Sequence, residues 1–422
     1  MRKRRILRSG IIKNLLIAQS GGPTCAINAT LAGCYKKAIE LGFDNVYGAL
    51  YGVQGLLDSK IIDLKAQIKT DKDLNRLKIT PASALGSCRY KVDSEEKLAK
   101  IVEILKSFNI NYFIYIGGND SMDTVYQLSK YIEKIGEDIK VMGSPKTIDN
   151  DLFGTDHTPG FGSAAKFVAN SVYEIAKDVE IYDYRTITIV EIMGRYAGWL
   201  TAAGAISKKL CNLGADLVYI SEDTFEFDNL VKEINENFKR TDNILILVSE
   251  GIKDSSNNFI SKTSGKKDKF GHAQLQGPSH IIRDKLKEIY DMPIRSIELN
   301  ILQRCDMSFA SKTDIEESFE VGEFSVECVE NHSGKMVGIK RISNKPYKTE
   351  FELVDIEKVA NKTKMIVPKY TDSHFQIDDE FMDYILPLIE GEIDVEYKNG
   401  IAQYFAFDKE DIVKLQNQEQ SW

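Results

Sequence analysis

The segment NYFIYIGGNDSMDTVYQLSKYIEKIGEDIKVMGSPKTIDND, residues 111–151, decides the fold class. Its first six residues form a short apolar run and predict a buried strand. A Gly-Gly pair follows, and Ser121 is placed to cap a helix whose apolar positions extend to Ile132. Residues 140–143 then predict a second strand. Because this order of elements is typical of parallel strands covered by helices, the segment indicates an α/β fold.

The same alternation continues on both sides of this segment. Residues 15–18 are an apolar run before a helical pattern that stops near Gly42, and helix and strand patterns resume after Gly162. We therefore expect an α/β protein with two doubly wound parallel-sheet domains. Residues 253–270 are rich in Lys and Ser and predict a mobile surface loop. The expected regions are a basic extension at 1–13, a larger α/β domain at 14–150, a second α/β domain at 151–304 and a C-terminal region at 305–422 that completes both domains.

The composition excludes several classes of function. The 422 residues include 55 Lys and Arg against 63 Asp and Glu, a formal net charge of −8. That balance argues against a nucleic-acid partner, because a phosphate backbone is bound by clustered positive charge. We expect no membrane partner, since no apolar run approaches the roughly 20 residues that span a bilayer. The six cysteines are scattered without a C-x-x-C pair, which favours a reducing, cytoplasmic location. The basic start predicts an extension, with a targeting peptide as the alternative.

Two glycine-rich loops follow predicted strands: SGG at residues 20–22 and GGNDS at residues 117–121. Glycine lets backbone N–H groups approach an anion closely, and the start of a helix favours negative charge there. Both loops therefore suit phosphate. The structural alternatives are a simple connector in the first loop and helix capping by Asp120 or Ser121 in the second.

The segment PKTIDND, residues 145–151, contains one cation, two acids, a hydroxyl and an amide close together. Lys146 would neutralise phosphate charge, and the period of two in an extended chain would direct Asp149 and Asp151 to the same side. Paired carboxylates suit a base together with Mg²⁺, which usually shares its oxygen ligands with substrate phosphates. The alternative is a solvated polar turn.

Further charged residues follow later strands. Arg195 and Glu250 come after two predicted strands, and Arg295 and Arg304 stand on either side of an apolar run. Two arginines can clamp a phosphate through charge-assisted hydrogen bonds. Taken singly, each is more often a solvated side chain or a surface ion-pair partner. Their occurrence at successive strand ends, where parallel sheets bind ligands, favours a single phosphate-binding site.

Together these residues resemble the phosphofructokinase family, and its pyrophosphate-dependent branch closely. The likeness covers about residues 14–315 and rests on the motifs SGGPTCAIN, LGSCR, IGGNDS, PKTIDND, EIMGRYAGW and SEG and on a later R-x₈-R. The resemblance implies two α/β domains with the active site in the cleft between them, one binding the phosphoryl donor and the other the sugar phosphate. It also implies Mg²⁺ as cofactor and phosphoryl transfer to the 1-hydroxyl of fructose 6-phosphate.

The resemblance assigns the central residues position by position. Asp149 matches the general base on the sugar hydroxyl, and Asp151 matches the magnesium site. Thr147 matches the position beside the transferred phosphoryl group. Arg89 matches the arginine that contacts the moving phosphate, and Gly22 matches a backbone donor in the first loop.

The sugar-binding residues follow in the same way. Glu250 matches the acid that binds sugar hydroxyls. Arg295 and Arg304 match the pair on the 6-phosphate, one of which reaches in from a neighbouring subunit, so the resemblance implies a homodimer or homotetramer. The family's sugar-binding segment corresponds to Met193, Gly194 and Arg195.

The choice of donor depends on Asp120 and Lys146, beside Gly118 of the donor-binding loop. ATP-using relatives carry glycine at both positions, which leaves room for the nucleotide. Here Asp120 would crowd and repel the α-phosphate side, while Lys146 offers a charge to a terminal phosphate, so pyrophosphate is favoured. One departure is Asn119, which stands where the family has an acid. It keeps an oxygen ligand for a metal beside Asp151 but removes one negative charge.

Two further departures lie on the sugar side. Ile301 replaces a family histidine, and Arg185 lies one position from the usual intersubunit arginine and receives no role. We expect reversible phosphoryl transfer from pyrophosphate to fructose 6-phosphate in glycolysis, giving fructose 1,6-bisphosphate and phosphate. The alternatives are an ATP-dependent 6-phosphofructokinase and, in another class, a non-catalytic sugar-phosphate-binding regulatory paralogue, to which only Asn119 points.

Overall fold

The computed structural model describes residues 12–260, 262–267, 273–360, 362–366 and 377–414. Apart from residues 12 and 13, the predicted N-terminal extension lies outside these ranges. Within them, no helix combines the length and apolar character that crossing a bilayer requires.

Strands and helices follow one another from Asn14 to Pro145. Helix α6 starts at Asn119 with Gly118 as its N-cap, so Ser121 lies in the first turn and the prediction that it caps the helix is wrong. Glycine at 117 allows this early start, because a Cβ there would lie 2.0 Å from the Ser121 Oγ. The elements are β1 (Asn14–Gln19), α1 (Ile27–Glu40), β2 (Asn45–Ala49), α2 (Gly52–Leu57), β3 (Ile61–Asp63), α3 (Leu64–Gln67), α4 (Asp71–Lys78), α5 (Glu95–Ser107), β4 (Tyr112–Gly117), α6 (Asn119–Ile135) and β5 (Lys140–Pro145).

The alternation continues to the strand that ends at Glu298, and a mixed C-terminal region follows. Short 3₁₀ segments cover Asn300–Arg304, Ile356–Lys358 and Leu386–Ile389. The remaining elements are α7 (Phe161–Val179), β6 (Thr186–Ile192), α8 (Trp199–Gly204), α9 (Ile206–Cys211), β7 (Leu217–Tyr219), α10 (Phe227–Asn237), β8 (Asn243–Ser249), β9 (Lys262–Lys267), β10 (Ala273–Gln276), α11 (Pro278–Lys287), β11 (Ile294–Glu298), α12 (Lys312–Val329), β12 (Lys335–Asn344), β13 (Tyr347–Asp355), α13 (Asp379–Ile385), β14 (Tyr397–Lys398) and β15 (Ile401–Ala402).

The strands form two main sheets, which confirms the predicted fold class. The first has seven strands in the order β13-β12-β5-β4-β1-β2-β3, and the second has four in the order β11-β6-β8-β7. All four strands of the second sheet run parallel. The first sheet is parallel from β2 to β12, but β3 and β13 are antiparallel edge strands. The C-terminal strands β12 and β13 thus extend the first sheet.

Each main sheet is covered on both faces. Along β1, Leu15 and Ile17 pack with α1 and α12, while Leu16 packs on the opposite face with α5 and α6. In the second sheet, Ile189 and Val190 likewise belong to different clusters on opposite faces. This arrangement explains why the strands are apolar at consecutive positions rather than at alternate ones.

Helices α1 and α12 approach each other through two glycines. A Cβ at Gly33 would lie 1.9 Å from the Phe319 carbonyl oxygen, and a Cβ at Gly322 would lie 2.1 Å from the Thr30 carbonyl oxygen. Both contacts are with backbone atoms, which cannot rotate away as a flexible side chain can. The pair of helices, one from each end of the chain, therefore depends on glycine at both positions.

The prediction of a mobile loop at residues 253–270 is wrong in part. Residues 262–267 are strand β9, which pairs antiparallel with β10 in a two-stranded sheet. Because backbone hydrogen bonds hold such a pair, its strands need no alternating apolar pattern. Residues 261 and 268–270 lie outside the described residues.

A buried ionic cluster joins α12 to the segment before α7. His157 is 2% exposed and lies between two carboxylates, with Nδ1 2.8 Å from Asp156 and Nε2 2.7 Å from Glu317. Burial opposes the charged imidazole, but Glu317 and Asp156 outweigh it and raise the pKa of His157 to about 9. The Arg341 guanidinium also contacts Asp156, at 2.9 Å. The cluster therefore holds a charged histidine at neutral pH.

Candidate active site

A cavity of about 350 Å³ lies where the carboxyl ends of the two main sheets face each other. The loops after β1, β4 and β5 line one side, and the loops after β6 and β8 line the other. Parallel sheets bind ligands at these ends, since loops with free backbone groups converge there. The lining residues are Gly21, Gly22, Arg89, Gly118, Asn119, Asp120, Ser121, Lys146, Thr147, Asp149, Asp151, Arg195, Tyr196, Glu250 and Thr363.

The start of α6 forms an anion-binding wall of this cavity. Gly118, the N-cap, and the first-turn residue Asn119 both line it. The unsatisfied backbone N–H groups at a helix start, together with the helix dipole, favour a negatively charged ligand. Gly22 faces the same space, and a Cβ on it would lie 3.2 Å from a guanidinium nitrogen of Arg304. A phosphate can therefore approach backbone from two loops.

Lys146 connects these two loops. Its side chain is 2% exposed, its Nζ donates to the Gly22 carbonyl at 2.7 Å, and its backbone N–H donates to the Gly117 carbonyl at 3.0 Å. Burial lowers the pKa of Lys146 to about 8, although the carboxylates of Asp149 and Asp151 favour the charged form. A buried ammonium that lines an otherwise anion-friendly cavity is suited to bind phosphate oxygens.

Asp149 and Asp151 enter the same cavity, but not for the predicted reason. The chain is a turn there rather than an extended strand, because Asn150 has a left-handed backbone with a φ of 54°. The Thr147 Oγ1 accepts from the Asp149 N–H at 3.2 Å within this turn. Burial raises the pKa of Asp149, against the charges of Lys146 and two arginines. Burial and the charge of Asp149 together raise the pKa of Asp151 to about 7.

Asn119 and Asp151 supply oxygens where a metal could bind. The Asn119 Nδ2 donates to an Asp151 carboxylate oxygen at 3.3 Å, and its buried Oδ1 finds no hydrogen-bond partner within the described part of the chain. That orphaned oxygen beside a carboxylate fits a Mg²⁺ site. Among the described residues, no three His, Cys, Asp or Glu side chains are grouped to hold a metal. Such a site would therefore need phosphate oxygens as further ligands.

The second-sheet side of the cavity carries Arg195 and Glu250. The buried Nε of Arg195 makes no hydrogen bond to any described residue, so this donor is available to a ligand. Burial raises the pKa of Glu250 to about 7, and the negative charge of Asp149 adds to this effect. A protonatable acid and a free guanidinium donor can together bind hydroxyl and phosphoryl oxygens.

Four predicted sugar-binding residues lie outside the cavity lining: Met193, Gly194, Arg295 and Arg304. Met193 packs against the core of the second sheet, and its N–H donates to the Gln303 side chain at 3.1 Å. Gly194 has a φ of 130°, and its carbonyl accepts from Ser221 and Ser249. Met193 is therefore held by a side chain of the 3₁₀ segment at 300–304, and Gly194 by two serines at or just after strand ends. Met193 and Gly194 shape the loop that carries Arg195.

The two predicted phosphate arginines are separated in the structure. Arg304 lies beside Gly22, and its buried Nε has no partner among the described residues. Arg295 instead lies within β11, with a side chain 48% exposed and 3.6 Å from Asp178. Its guanidinium lies over the Tyr182 ring, 5.4 Å from the ring centroid, and Arg295 is not among the residues that line the cavity. Arg185 pairs with Asp242 at 3.3 Å, also away from the cavity.

Two lining residues were missed by the sequence analysis. Tyr196 follows Arg195 directly, so the EIMGRYAGW motif already contained the signal. Thr363 comes from the C-terminal region, where it forms an isolated bridge with Leu152 next to the aspartate turn. Nothing in the local sequence around Thr363 indicates a site, because its place depends on a long-range pairing.

The two main sheets face each other across a cavity that contains anion-binding loops, a buried lysine and two acids. This arrangement is that of an α/β phosphotransferase. The phosphofructokinase family model matches residues 14–322. The chain is 34% identical over 92% of its length to the pyrophosphate–fructose 6-phosphate 1-phosphotransferase of Halomonas elongata, of which it covers 95%. It is 35% identical to the enzyme of the same name from Xanthomonas campestris pv. campestris, with 95% of this chain and 97% of that protein covered.

A solved structure agrees. The pyrophosphate-dependent phosphofructokinase of Nitrosospira multiformis superposes with a TM-score of 0.85 at 33% identity, and the match covers 94% of this chain and 97% of that chain. The chain belongs to the phosphofructokinase family.

Proposed function

We propose that this chain transfers a phosphoryl group reversibly between pyrophosphate and the 1-hydroxyl of fructose 6-phosphate, giving fructose 1,6-bisphosphate and phosphate. The observation that carries the proposal is Lys146, whose buried ammonium lies between the donor loops. The family resemblance implies glycine at this position in ATP-using members. The lysine side chain shortens the space for the donor, and its positive charge suits a compact, highly charged donor. The names of the full-length relatives support the same donor and acceptor.

In this proposal the first-sheet side holds pyrophosphate. Lys146, the N–H groups at Gly22 and Gly118, and the start of α6 bind its oxygens, and Arg89 contacts the group that moves. Asn119 and Asp151 would hold Mg²⁺, which when bound neutralises phosphate charge and orients the donor. Thr147 lies beside the transferred group. Asp120, exposed at the cavity edge, excludes the rest of a nucleotide by repulsion and bulk.

Asp149 acts as the general base on the sugar hydroxyl. Burial raises the pKa of this carboxyl group, and a more basic carboxylate accepts a proton more readily in the transition state. The positive charges of Lys146, Arg304 and Arg195 oppose this effect and favour the ionised form. Because phosphoryl transfer requires mainly positioning and charge neutralisation, the other lining residues act by holding the two substrates in line.

The sugar phosphate occupies the second-sheet side. Arg195 and Glu250 bind its hydroxyl and phosphoryl oxygens, and Arg304 binds the 6-phosphate. Arg295 does not line its own cavity, so it would serve the site of a neighbouring copy in a homodimer or homotetramer. We propose that the enzyme works in the cytoplasm as part of glycolysis.

Steady-state kinetics of the purified full chain with fructose 6-phosphate and Mg²⁺ test this function. Pyrophosphate should support turnover at saturating sugar, and the reverse reaction should proceed from fructose 1,6-bisphosphate and phosphate. Turnover with ATP at equal or greater kcat/KM would instead establish an ATP-dependent enzyme. Binding of fructose 6-phosphate without turnover by either donor would indicate the non-catalytic regulatory protein.

A further inference from the structure

Asn150, the residue between the two aspartates, adopts an uncommon backbone conformation. It is fully buried and has a φ of 54°. L-residues enter this left-handed region at a cost, although Asn does so more readily than most. The resulting bend allows Asp149 and Asp151 to face one cavity although the chain between them is not extended. We call residues 147–151 the aspartate turn.

The side chain of Asn150 is held on three sides. Its Oδ1 accepts from the Thr158 N–H at 3.1 Å and from the Lys364 Nζ at 3.2 Å. Its Nδ2 donates to the Tyr384 hydroxyl at 2.8 Å. A buried carboxamide with all these bonds has a fixed orientation, so the backbone that carries it is fixed as well.

Lys364 and Tyr384 also form hydrogen bonds with the surrounding backbone. The Lys364 Nζ donates to the carbonyls of Thr155 at 3.2 Å and Asp156 at 2.7 Å, and its own N–H donates to the Asp151 carbonyl at 2.7 Å. The Tyr384 hydroxyl donates to the same Asp156 carbonyl at 2.9 Å. The two side chains therefore bind Asn150 at the centre of the aspartate turn and the backbone that follows the turn, while the Lys364 backbone binds its last residue.

Both residues come from the C-terminal region, beyond residues 14–322 where the family model matches. We propose that Lys364 and Tyr384 are positioning residues that hold Asn150 in its left-handed conformation and thereby aim the two aspartates into the cavity. Neither side chain lines the cavity, so they act on catalysis through the turn and not by touching substrate. The proposal rests on the proposed function, because it concerns the same aspartates.

Three variants of the full chain test the proposal. Lys364→Met removes the ammonium but keeps an unbranched side chain, and Tyr384→Phe removes one hydroxyl. Lys362→Met is the matched control, since Lys362 is exposed on the same segment. We measure kcat, the KM for fructose 6-phosphate, the Mg²⁺ concentration at half-maximal rate, and hydrogen exchange of residues 147–152 in the ligand-free protein.

Loss of the turn should lower kcat more than it affects sugar binding. Lys364→Met removes one donor from three acceptors, of which Asn150 Oδ1 keeps the Thr158 N–H and the Asp156 carbonyl keeps the Tyr384 hydroxyl. It should reduce kcat about 10- to 100-fold, and Tyr384→Phe should reduce it about 3- to 10-fold. The KM for fructose 6-phosphate should stay within about threefold, since Arg195 and Glu250 come from the other sheet. The Mg²⁺ midpoint should rise, and exchange at 147–152 should accelerate in both variants but not in Lys362→Met.

The proposal is overturned if both variants, folded, keep kcat, the Mg²⁺ midpoint and the exchange rates of the control. A fall in the apparent kcat that equals the unfolded fraction, with a parental kcat per folded molecule and an unchanged Mg²⁺ midpoint, would also overturn it, because it would show a purely structural role. If Lys364→Met does not fold, Tyr384→Phe alone decides. If the parent protein lacks pyrophosphate turnover, the proposed function fails, while hydrogen exchange still tests the positioning role.

Discussion

Replacing Lys146 with methionine removes the donor-side ammonium while keeping an unbranched side chain of similar length. The Nζ lies 2.7 Å from the Gly22 carbonyl in a side chain that is 2% exposed, so little water can substitute for the lost charge. We expect Lys146→Met to bind pyrophosphate poorly while it binds fructose 6-phosphate almost normally.

The size of the effect follows from this environment. At about 4 Å and an effective dielectric constant near 20, the attraction between two unit charges is about 4 kcal/mol. Measured losses for hydrogen bonds to charged groups are smaller, at about 1.5–3 kcal/mol. The kcat/KM for pyrophosphate should therefore fall about 10- to 150-fold.

The thermal stability of Lys146→Met should be equal to or higher than that of the parent protein. Burial lowers the pKa of Lys146 from 10.5 to about 8, so at pH 7 the empty site holds the charged form at a cost of about 3 kcal/mol. Methionine removes that cost and loses one hydrogen bond, so the variant should melt at the same or a higher temperature. Loss of donor binding then cannot be ascribed to unfolding.

The assay varies pyrophosphate at saturating fructose 6-phosphate and Mg²⁺, then varies the sugar at saturating donor. Lys140→Met serves as the control, because Lys140 lies at the opposite end of β5 and pairs with Asp138 at 3.0 Å. A KM for pyrophosphate within about twofold of the parent would refute the role of Lys146 in donor binding. So would an equal rise in both KM values.

Asp149→Asn should lower kcat at least about 100-fold with the KM for fructose 6-phosphate nearly unchanged, and an unaltered kcat would exclude Asp149 as the base. Gly33→Ala should destabilise the protein by about 1–3 kcal/mol in denaturant titrations, because its Cβ would overlap the Phe319 carbonyl oxygen; unchanged stability would show that α1 and α12 can separate freely. The pKa of His157 is raised to about 9, so its contribution to stability is fully present below about pH 6.5 and is lost as pH rises through 9. The free energy of unfolding of the parent protein should therefore fall by about 3 kcal/mol over that range, and that of His157→Gln should not. Parallel pH curves for the two proteins would show that His157 is not a charged member of the cluster.

Local patterns predicted the part of the site that lies at strand ends. Apolar runs gave the parallel strands, and the residues directly after β1, β4, β5 and β8 all reach the cavity. The prediction succeeds because parallel strands end at one edge of a sheet, so residues that directly follow these strands lie close together in the structure. The motif at 145–151 was found in the same way, although the chain there is a turn and not the extended run that was predicted.

Side chains that depend on distant contacts could not be placed. Arg295 and Arg304 stand nine residues apart, yet the first lies on an edge strand beside Asp178, while the second lies beside Gly22. The local sequence pattern does not show which elements will pack beside each arginine, so the different surroundings of Arg295 and Arg304 could not be predicted. The hairpin at 262–267 was missed for a related reason, since backbone pairing leaves little trace in a polar sequence.

Residue type and short spacing are sufficient to predict the strands, the glycine loops and the charged groups of the site. The direction of the two aspartate side chains depends on packing between distant parts of the chain. Asn150 and Lys364 are 214 residues apart, and their hydrogen bond exists because β12 and β13 bring the C-terminal region back onto the first sheet. Contacts of that separation are set by how packed layers meet, and no pattern of neighbouring residues records them.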